Sequence, residues 1–172
     1  MAPLVRVRCD GDLEECLRVL EAVYRADRYP FRWPEDPAGW LSPRAMLGAW
    51  VAEDGGRVLG HVALRAVRAT DGGAPAWSGA TGLPAEGHAS VSRLFVSPGS
   101  RGAGLGRSLL DTARAESAAR GLRPALSVVE TDADAVRLYE RNGWRRVLSE
   151  SFPAFPEGEG LLYLYVFGGA ST

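Results

Sequence analysis

Apolar and charged positions alternate from Leu4 to Arg8, the two-residue period of a half-buried strand. From Leu13 to Arg25 the period lengthens: Leu13, Leu17, Leu20 and Val23 return on one helical face behind Asp10 or Asp12 as a cap. The stretch RYPFRWPEDPAGWLSP follows, with four prolines and the aromatics Tyr29, Phe31, Trp33 and Trp40. Its prolines forbid a long helix and leave room only for short turns. Ala49–Ala52 and Val58–Ala66 read as two strands joined at Asp54-Gly55-Gly56, a hairpin turn. Thr70–Gly87 is rich in glycine, with Pro75, Pro84 and a single Trp77, and reads as a long loop. Long loops inside compact domains are usually functional or mobile.

The second half has cleaner periods. Ala89–Val96 is expected as a strand, Gly104–Arg120 as a helix stopped by Gly121, and Ala125–Glu130 as an apolar strand. Asp132 or Asp134 caps a short helix that ends at Asn142-Gly143. Trp144–Leu148 and Leu161–Phe167 complete the set as two strands around the SFPAFPEGEG loop, and the GGAST tail, residues 168–172, is expected to fray. The order is mixed: β/α units first, antiparallel strands late. That is an α/β (α+β mixed) fold on one sheet, in a single domain with its core at about residues 4–167.

Composition narrows the function classes. A chain of 172 residues and 18.4 kDa, 46% hydrophobic and 24% charged, is long enough to bury roughly 70% of its unfolded surface. The net charge of −1 and pI near 6.1 argue against nucleic acid as a partner. No apolar run approaches the ~20 residues of a membrane helix, and the start MAPLVRVRCDGDLEE has no signal-peptide core, so a cytoplasmic protein with no membrane partner is expected. Cys9, Cys16, His61 and His88 do not make a structural zinc site, and no metal is expected. All twenty basic residues are Arg. The absence of Lys matches a coding bias that also enriches Ala and Gly, and it excludes Walker-type phosphate loops and Schiff-base chemistry.

The residues that carry chemistry lie between Val91 and Gly143. The strand SVSRLFV runs into Ser97-Pro98-Gly99-Ser100, then Arg101-Gly102-Ala103-Gly104-Leu105-Gly106, then an amphipathic helix. A glycine-rich turn between strand and helix lets backbone N–H groups wrap a phosphate, with the helix dipole adding partial positive charge. The dinucleotide pattern G-x-G-x-x-G fails: counted from Gly102 or Gly104, its last position is Arg107 or Leu109. A helix-start turn with no ligand is the plain alternative.

Arg101-x-x-Gly104-x-Gly106 after a strand resembles the acyl-CoA pyrophosphate loop of the GNAT superfamily of N-acetyltransferases. The run Asp132-Ala133-Asp134-Ala135-Val136-Arg137-Leu138-Tyr139-Glu140-Arg141-Asn142-Gly143-Trp144 resembles that family's last motif, and Gly60-His61-Val62-Ala63 its third strand. The resemblance implies a mostly antiparallel sheet of about seven strands, splayed between the fourth and fifth, with about four flanking helices. It implies acetyl-CoA as donor, with Leu94, Phe95 and Val96 facing pantetheine and Val96 N–H near the thioester carbonyl. Arg101, Gly102, Ala103, Gly104, Leu105, Gly106 and Arg107 would surround the pyrophosphate, and Ser108 could add a hydroxyl. Asp132 stands where many relatives carry Asn, and near a polyphosphate its charge is wrong, so it is assigned only a capping role.

The resemblance further implies a direct attack by a primary amine in a ternary complex. Tyr139 is then the acid for the departing thiolate, a phenol near ~10 serving a thiol near ~8.5; the plain alternative is a core tyrosine bonded locally. For the base, His88, Glu86 and Glu130 are candidates, with Glu130 at the end of the fifth strand favoured by position, while a water chain would serve as well. His61 reads as a satisfied sheet residue rather than a base. Phe31 and Trp33 are assigned to acceptor binding, since aromatic faces hold ammonium groups; Trp33 and Trp40 could equally cover the core while the prolines stiffen a connection. The expected partner is a small-molecule amine, with a homodimer through the late strands as the candidate assembly. A non-catalytic acyl-CoA-binding or regulatory module, or acetylation of a peptide N-terminus, is the competing function.

Overall fold

The computed structural model describes residues 2–152 and 160–168. Its strands are β1 (Leu4–Val7), β2 (Met46–Asp54), β3 (Arg57–Ala66), β4 (His88–Val96), β5 (Arg123–Val129), β6 (Trp144–Ser151) and β7 (Leu161–Phe167). Its helices are α1 (Leu13–Asp27), the single turn α2 (Pro37–Trp40), α3 (Ala74–Thr81), α4 (Leu105–Ala119) and α5 (Ala133–Arg141), one more than the four expected. The seven strands form one sheet in the order β1-β2-β3-β4-β5-β7-β6, so the last strand in the chain pairs inside the sixth. The mixed fold expected from the sequence is the one observed.

The contacts divide the described residues into two compact units. The first takes Met1–Arg65 and Val91–Glu116. In it β1, β2 and β3 are antiparallel, with Val7 opposite Trp50 and Trp50 opposite Val62. The β2–β3 turn falls on Gly55 and Gly56, both left-handed, which suits the right-handed twist of a two-residue hairpin. The apolar stripe of α1 supplies Cys16, Val19, Leu20 and Val23 to a core that also holds Leu41, Val51, Val58 and Phe95. Burial of such side chains stabilises by roughly 1.5–3 kcal/mol each. Gly60 is required there: a Cβ would meet the Phe95 carbonyl oxygen and Leu109 at 2.9 Å.

The second unit takes Ala66–Ser90 and Ser117–Thr172. The first residues of β4 run parallel to β5 from His88 opposite Arg123 to Ser90 opposite Ala125, and the described ladder stops there. β5 and β6 both pair antiparallel with β7. Asp132 caps α5 by accepting from Ala135 N–H, and left-handed Gly143 ends the connection to β6. The expected tail falls largely outside the described residues, as do positions 153–159 of the SFPAFPEGEG loop.

One expectation is overturned. Thr70–Gly87 is not a long loop: it folds as α3 and a 3₁₀ turn at Ala85–Gly87. Pro75 sits in the first helical turn, where its missing N–H costs nothing, and Gly82 takes the left-handed stop. Trp77, only 2% exposed, anchors the helix among Val67, Ala85, Ala125, Leu164 and Val166. Tertiary burial of one indole outweighs the low helix propensity of the glycines around it.

Candidate active site

In the first unit, β4 delivers the chain into a 3₁₀ turn at Pro98–Ser100 and then into Arg101-Gly102-Ala103-Gly104. Gly102 and Gly104 are left-handed, with φ of 86° and 77°, and a Cβ on either would meet no described atom within 4 Å. The first bond of the α4 ladder runs from Ser108 N–H to the Gly104 carbonyl. The N–H groups of Leu105, Gly106 and Arg107 therefore precede the ladder and lie at the positive end of a fifteen-residue helix. Open backbone, two left-handed glycines and a helix start make a cradle that fits an anion such as a pyrophosphate. The two arginines expected around it have partners of their own: Arg101 is ion-paired with Asp27 at the end of α1, and Arg107 Nε lies 3.6 Å from Asp111. Main-chain N–H groups are thus the donors this cradle has ready.

Upstream of the turn, β4 is irregular. Arg93 has φ of 55°, a strained value for a non-glycine residue inside a strand. Its carbonyl accepts from His61 Nδ1 at 2.9 Å. Its Nε donates to the Trp40 carbonyl at 2.9 Å, and its guanidinium lies 4.1 Å from the Trp40 ring centroid. Burial, with the positive charge of Arg65, lowers the Arg93 pKa, and Tyr29 opposes that shift. Phe95 stacks on His61 at 5.2 Å and meets Tyr29, whose ring in turn sits edge-on to Trp40. On the same segment Trp33 packs against Tyr24 and is 37% exposed, while Phe31 is half-buried beside Arg32. Tyr29 and Trp40 of this segment reach β4, Tyr29 at Phe95 and Trp40 at Arg93. Sequence reasoning passed over Arg93; its signal was a lone charge inside the apolar strand SVSRLFV.

The histidines are packing residues. His61 is fully buried, with Nδ1 on the Arg93 carbonyl and Nε2 2.9 Å from Arg8 Nη1. Desolvation lowers its pKa to about 4, so it is neutral at pH 7. His88 opens β4, fully buried, with Nδ1 3.0 Å from the Pro84 carbonyl and Nε2 2.8 Å from Thr81 Oγ1. Neither offers a free nitrogen to an incoming ammonium. Cys16 is buried and its thiol is pushed up to about 12, chiefly by desolvation, which disarms it as a nucleophile.

In the second unit, Tyr139 projects from α5 and is 7% exposed, its ring 6.1 Å from Trp144 and 5.9 Å from Tyr165. Tyr165 donates to Glu140 at 2.9 Å, and burial raises its pKa to about 12. Glu130, just past β5, accepts from Leu161 N–H at 3.1 Å and from the Tyr163 hydroxyl at 3.2 Å. Each carboxylate oxygen keeps a second lone pair. Among the described residues, no group of three or more His, Cys, Asp or Glu side chains could hold a metal ion, and no helix is long and apolar enough to cross a membrane.

Comparison with known proteins places this geometry. The model of the acetyltransferase (GNAT) family matches residues 13–144. A mycothiol acetyltransferase of Geodermatophilus obscurus is 34% identical over 111 residues, 62% of this chain and 30% of that protein, so the chain spans about a third of the curated relative it matches. The ribosomal-protein-S18-alanine N-acetyltransferase of Escherichia coli superposes with a TM-score of 0.72 at 17% identity, over 99% of this chain and 96% of that one. A Salmonella typhimurium protein solved with its cofactor acetyl-CoA superposes with a TM-score of 0.69 at 20% identity, over 96% and 92% of the two chains.

Proposed function

This chain belongs to the acetyltransferase (GNAT) family, and from that premise we propose that it transfers an acetyl group from acetyl-CoA to a primary amine on a small molecule, in the cytoplasm. The observation that carries the reading is the open cradle at Gly102 and Gly104, whose backbone has room and positive character for a pyrophosphate. Bound there, acetyl-CoA supplies the thioester whose acetyl carbon the amine attacks.

The chain's own residues have the following roles. Gly102, Ala103, Gly104, Leu105, Gly106 and Arg107 hold the phosphates through main-chain N–H groups, with Ser108 and Arg101 at the margin. Leu94, Phe95 and Val96 line the pantetheine arm, and Val96 N–H polarises the carbonyl that is attacked. Tyr139 gives its hydroxyl proton to the leaving thiolate; its burial against Trp144 and Tyr165 supports a dry, fixed phenol. Glu130 takes the proton from the ammonium, its carboxylate oriented by Leu161 N–H and Tyr163. Half-buried Phe31 and the more exposed Trp33 contribute to the acceptor wall.

Direct attack needs no acetyl-enzyme, and the buried Cys16 thiol, pushed up to about 12, is a poor nucleophile for one. The names of similar proteins point to two acceptor classes, mycothiol and an alanine of a ribosomal protein. The aromatic-proline segment Tyr29–Trp40 favours the small molecule, since its rings can enclose a compact cation. Initial rates with an accepted amine should give intersecting double-reciprocal plots, the mark of a ternary complex. Tyr139→Phe should lower kcat about a hundredfold or more with acetyl-CoA affinity unchanged, within the usual range for loss of general acid catalysis of about 10²–10⁴. Parallel plots would overturn the direct attack, and an undiminished kcat would remove Tyr139 from the chemistry.

A further inference from the structure

Several arginines of this protein are held by carboxylates. Arg6, Arg18, Arg25, Arg101, Arg137 and Arg146 are each ion-paired. Arg93 is different. It is half-buried, its Nε is spent on the Trp40 carbonyl, and its face lies on the Trp40 ring. Its two terminal nitrogens donate to no described residue, and among the described residues no carboxylate shifts it. The charges near it add to its own. Arg65 lowers its pKa, and Arg8 is bound to the Leu41 carbonyl, the Ser42 hydroxyl and His61 Nε2, again with no carboxylate. A desolvated guanidinium without a counter-ion is costly, and this one is held by the Trp40 carbonyl and ring, which set where its fork points.

We infer that Arg93 is the receptor for a carboxylate carried by the acceptor, so that the substrate is an amine bearing a carboxylate rather than a simple amine. The inference rests on the transferase reading and narrows it. With Nε anchored, the Nη1 and Nη2 edge is the part of the fork left to face a carboxylate end-on through two N–H···O bonds. Arg93 precedes Val96 by three residues, at most about 10 Å of extended chain at ~3.3 Å per residue. A molecule gripped at the fork can therefore carry its amine toward the Val96 end of β4. The Trp40 ring, half-buried under the guanidinium, gives that grip an aromatic side.

The test compares α-amino acids, β-alanine, 4-aminobutyrate and alanyl-alanine with their carboxamides as acceptors, by thiol release from acetyl-CoA. Carboxylate acceptors should exceed their amides at least tenfold in kcat/KM. Arg93→Gln should erase that preference through KM, and Arg93→Lys, which keeps the charge without the fork, should retain part of it. The same order should appear without turnover when the N-acetylated products and their amides are titrated into the protein with CoA present. Melting curves establish that each variant is folded; if Arg93→Gln is not, the Lys variant and the wild-type preference decide. Equal use of acids and amides, or transfer to neither series by protein that binds acetyl-CoA, overturns the carboxylate receptor and leaves the cofactor reading standing. Failure to bind acetyl-CoA overturns both.

Discussion

Two glycine-rich stretches, Thr70–Gly87 and Ser97–Gly106, look alike in composition and fold in opposite ways. In the first, Gly73 makes room for a neighbour: a Cβ there would lie 2.6 Å from the Trp77 ring, and the indole fills that space as it anchors α3. In the second, Gly102 and Gly104 have no described atom where a side chain would go, and both take a left-handed backbone. Glycine content therefore says little about a site. What separates a packed position from an open one is whether a bulky side chain nearby claims the space.

Truncating the anchor of the packed stretch should have the largest effect. Trp77→Ala removes a buried indole from the cluster of Val67, Ala85, Leu164 and Val166, and should cost about 3–5 kcal/mol in denaturant unfolding. A loss under 1 kcal/mol would mean that α3 is a surface turn after all. A packed histidine gives the next effect. His61 has its pKa depressed from 6.5 to about 4 in the folded protein. Between those values the unfolded chain binds the extra proton, so stability present above pH 6.5 falls as pH drops toward 4, by roughly 3 kcal/mol in all. Urea midpoints at pH 7.5 and pH 5 measure it, and His61→Gln should flatten the slope.

Smaller in energy, and sharper for the comparison, is the pair Gly73→Ala and Gly104→Val. The first should lower stability by about 1–3 kcal/mol through overpacking on Trp77 and leave acetyl-CoA affinity alone. The second should weaken acetyl-CoA at least tenfold, about 1.4 kcal/mol. Its stability should drop only by the ~1–2 kcal/mol of a left-handed non-glycine. Exchange of these two outcomes would reverse the assignment of packed and open glycines.

Much of the fold was legible in the sequence, for physical reasons. The 3.6-residue stripe of α1, the Gly55-Gly56 hairpin, the Asp132 cap and the glycine turn before α4 are all local, and each element follows its own period or turn chemistry. The satisfied state of His61 also followed from its place inside an apolar strand. What escaped was set by distant contacts. Trp77 turns a glycine-rich stretch into a helix through residues up to ninety positions away, such as Leu164 and Val166. Arg93 takes its backbone strain and its perch on Trp40 from a segment more than fifty residues earlier. The Asp27 partner of Arg101, likewise, belongs to a helix that no local pattern connects to the turn.

The central claim is that the open glycine turn is a nucleotide-phosphate cradle for acetyl-CoA. Calorimetric titration of the purified protein with acetyl-CoA, with NAD run alongside, tests it most directly. Saturable binding of acetyl-CoA in the micromolar range, with no heat from NAD, is the result this account predicts. A folded protein that gives no saturable heat with acetyl-CoA would contradict it, and would leave Gly102 and Gly104 as a helix-start turn alone.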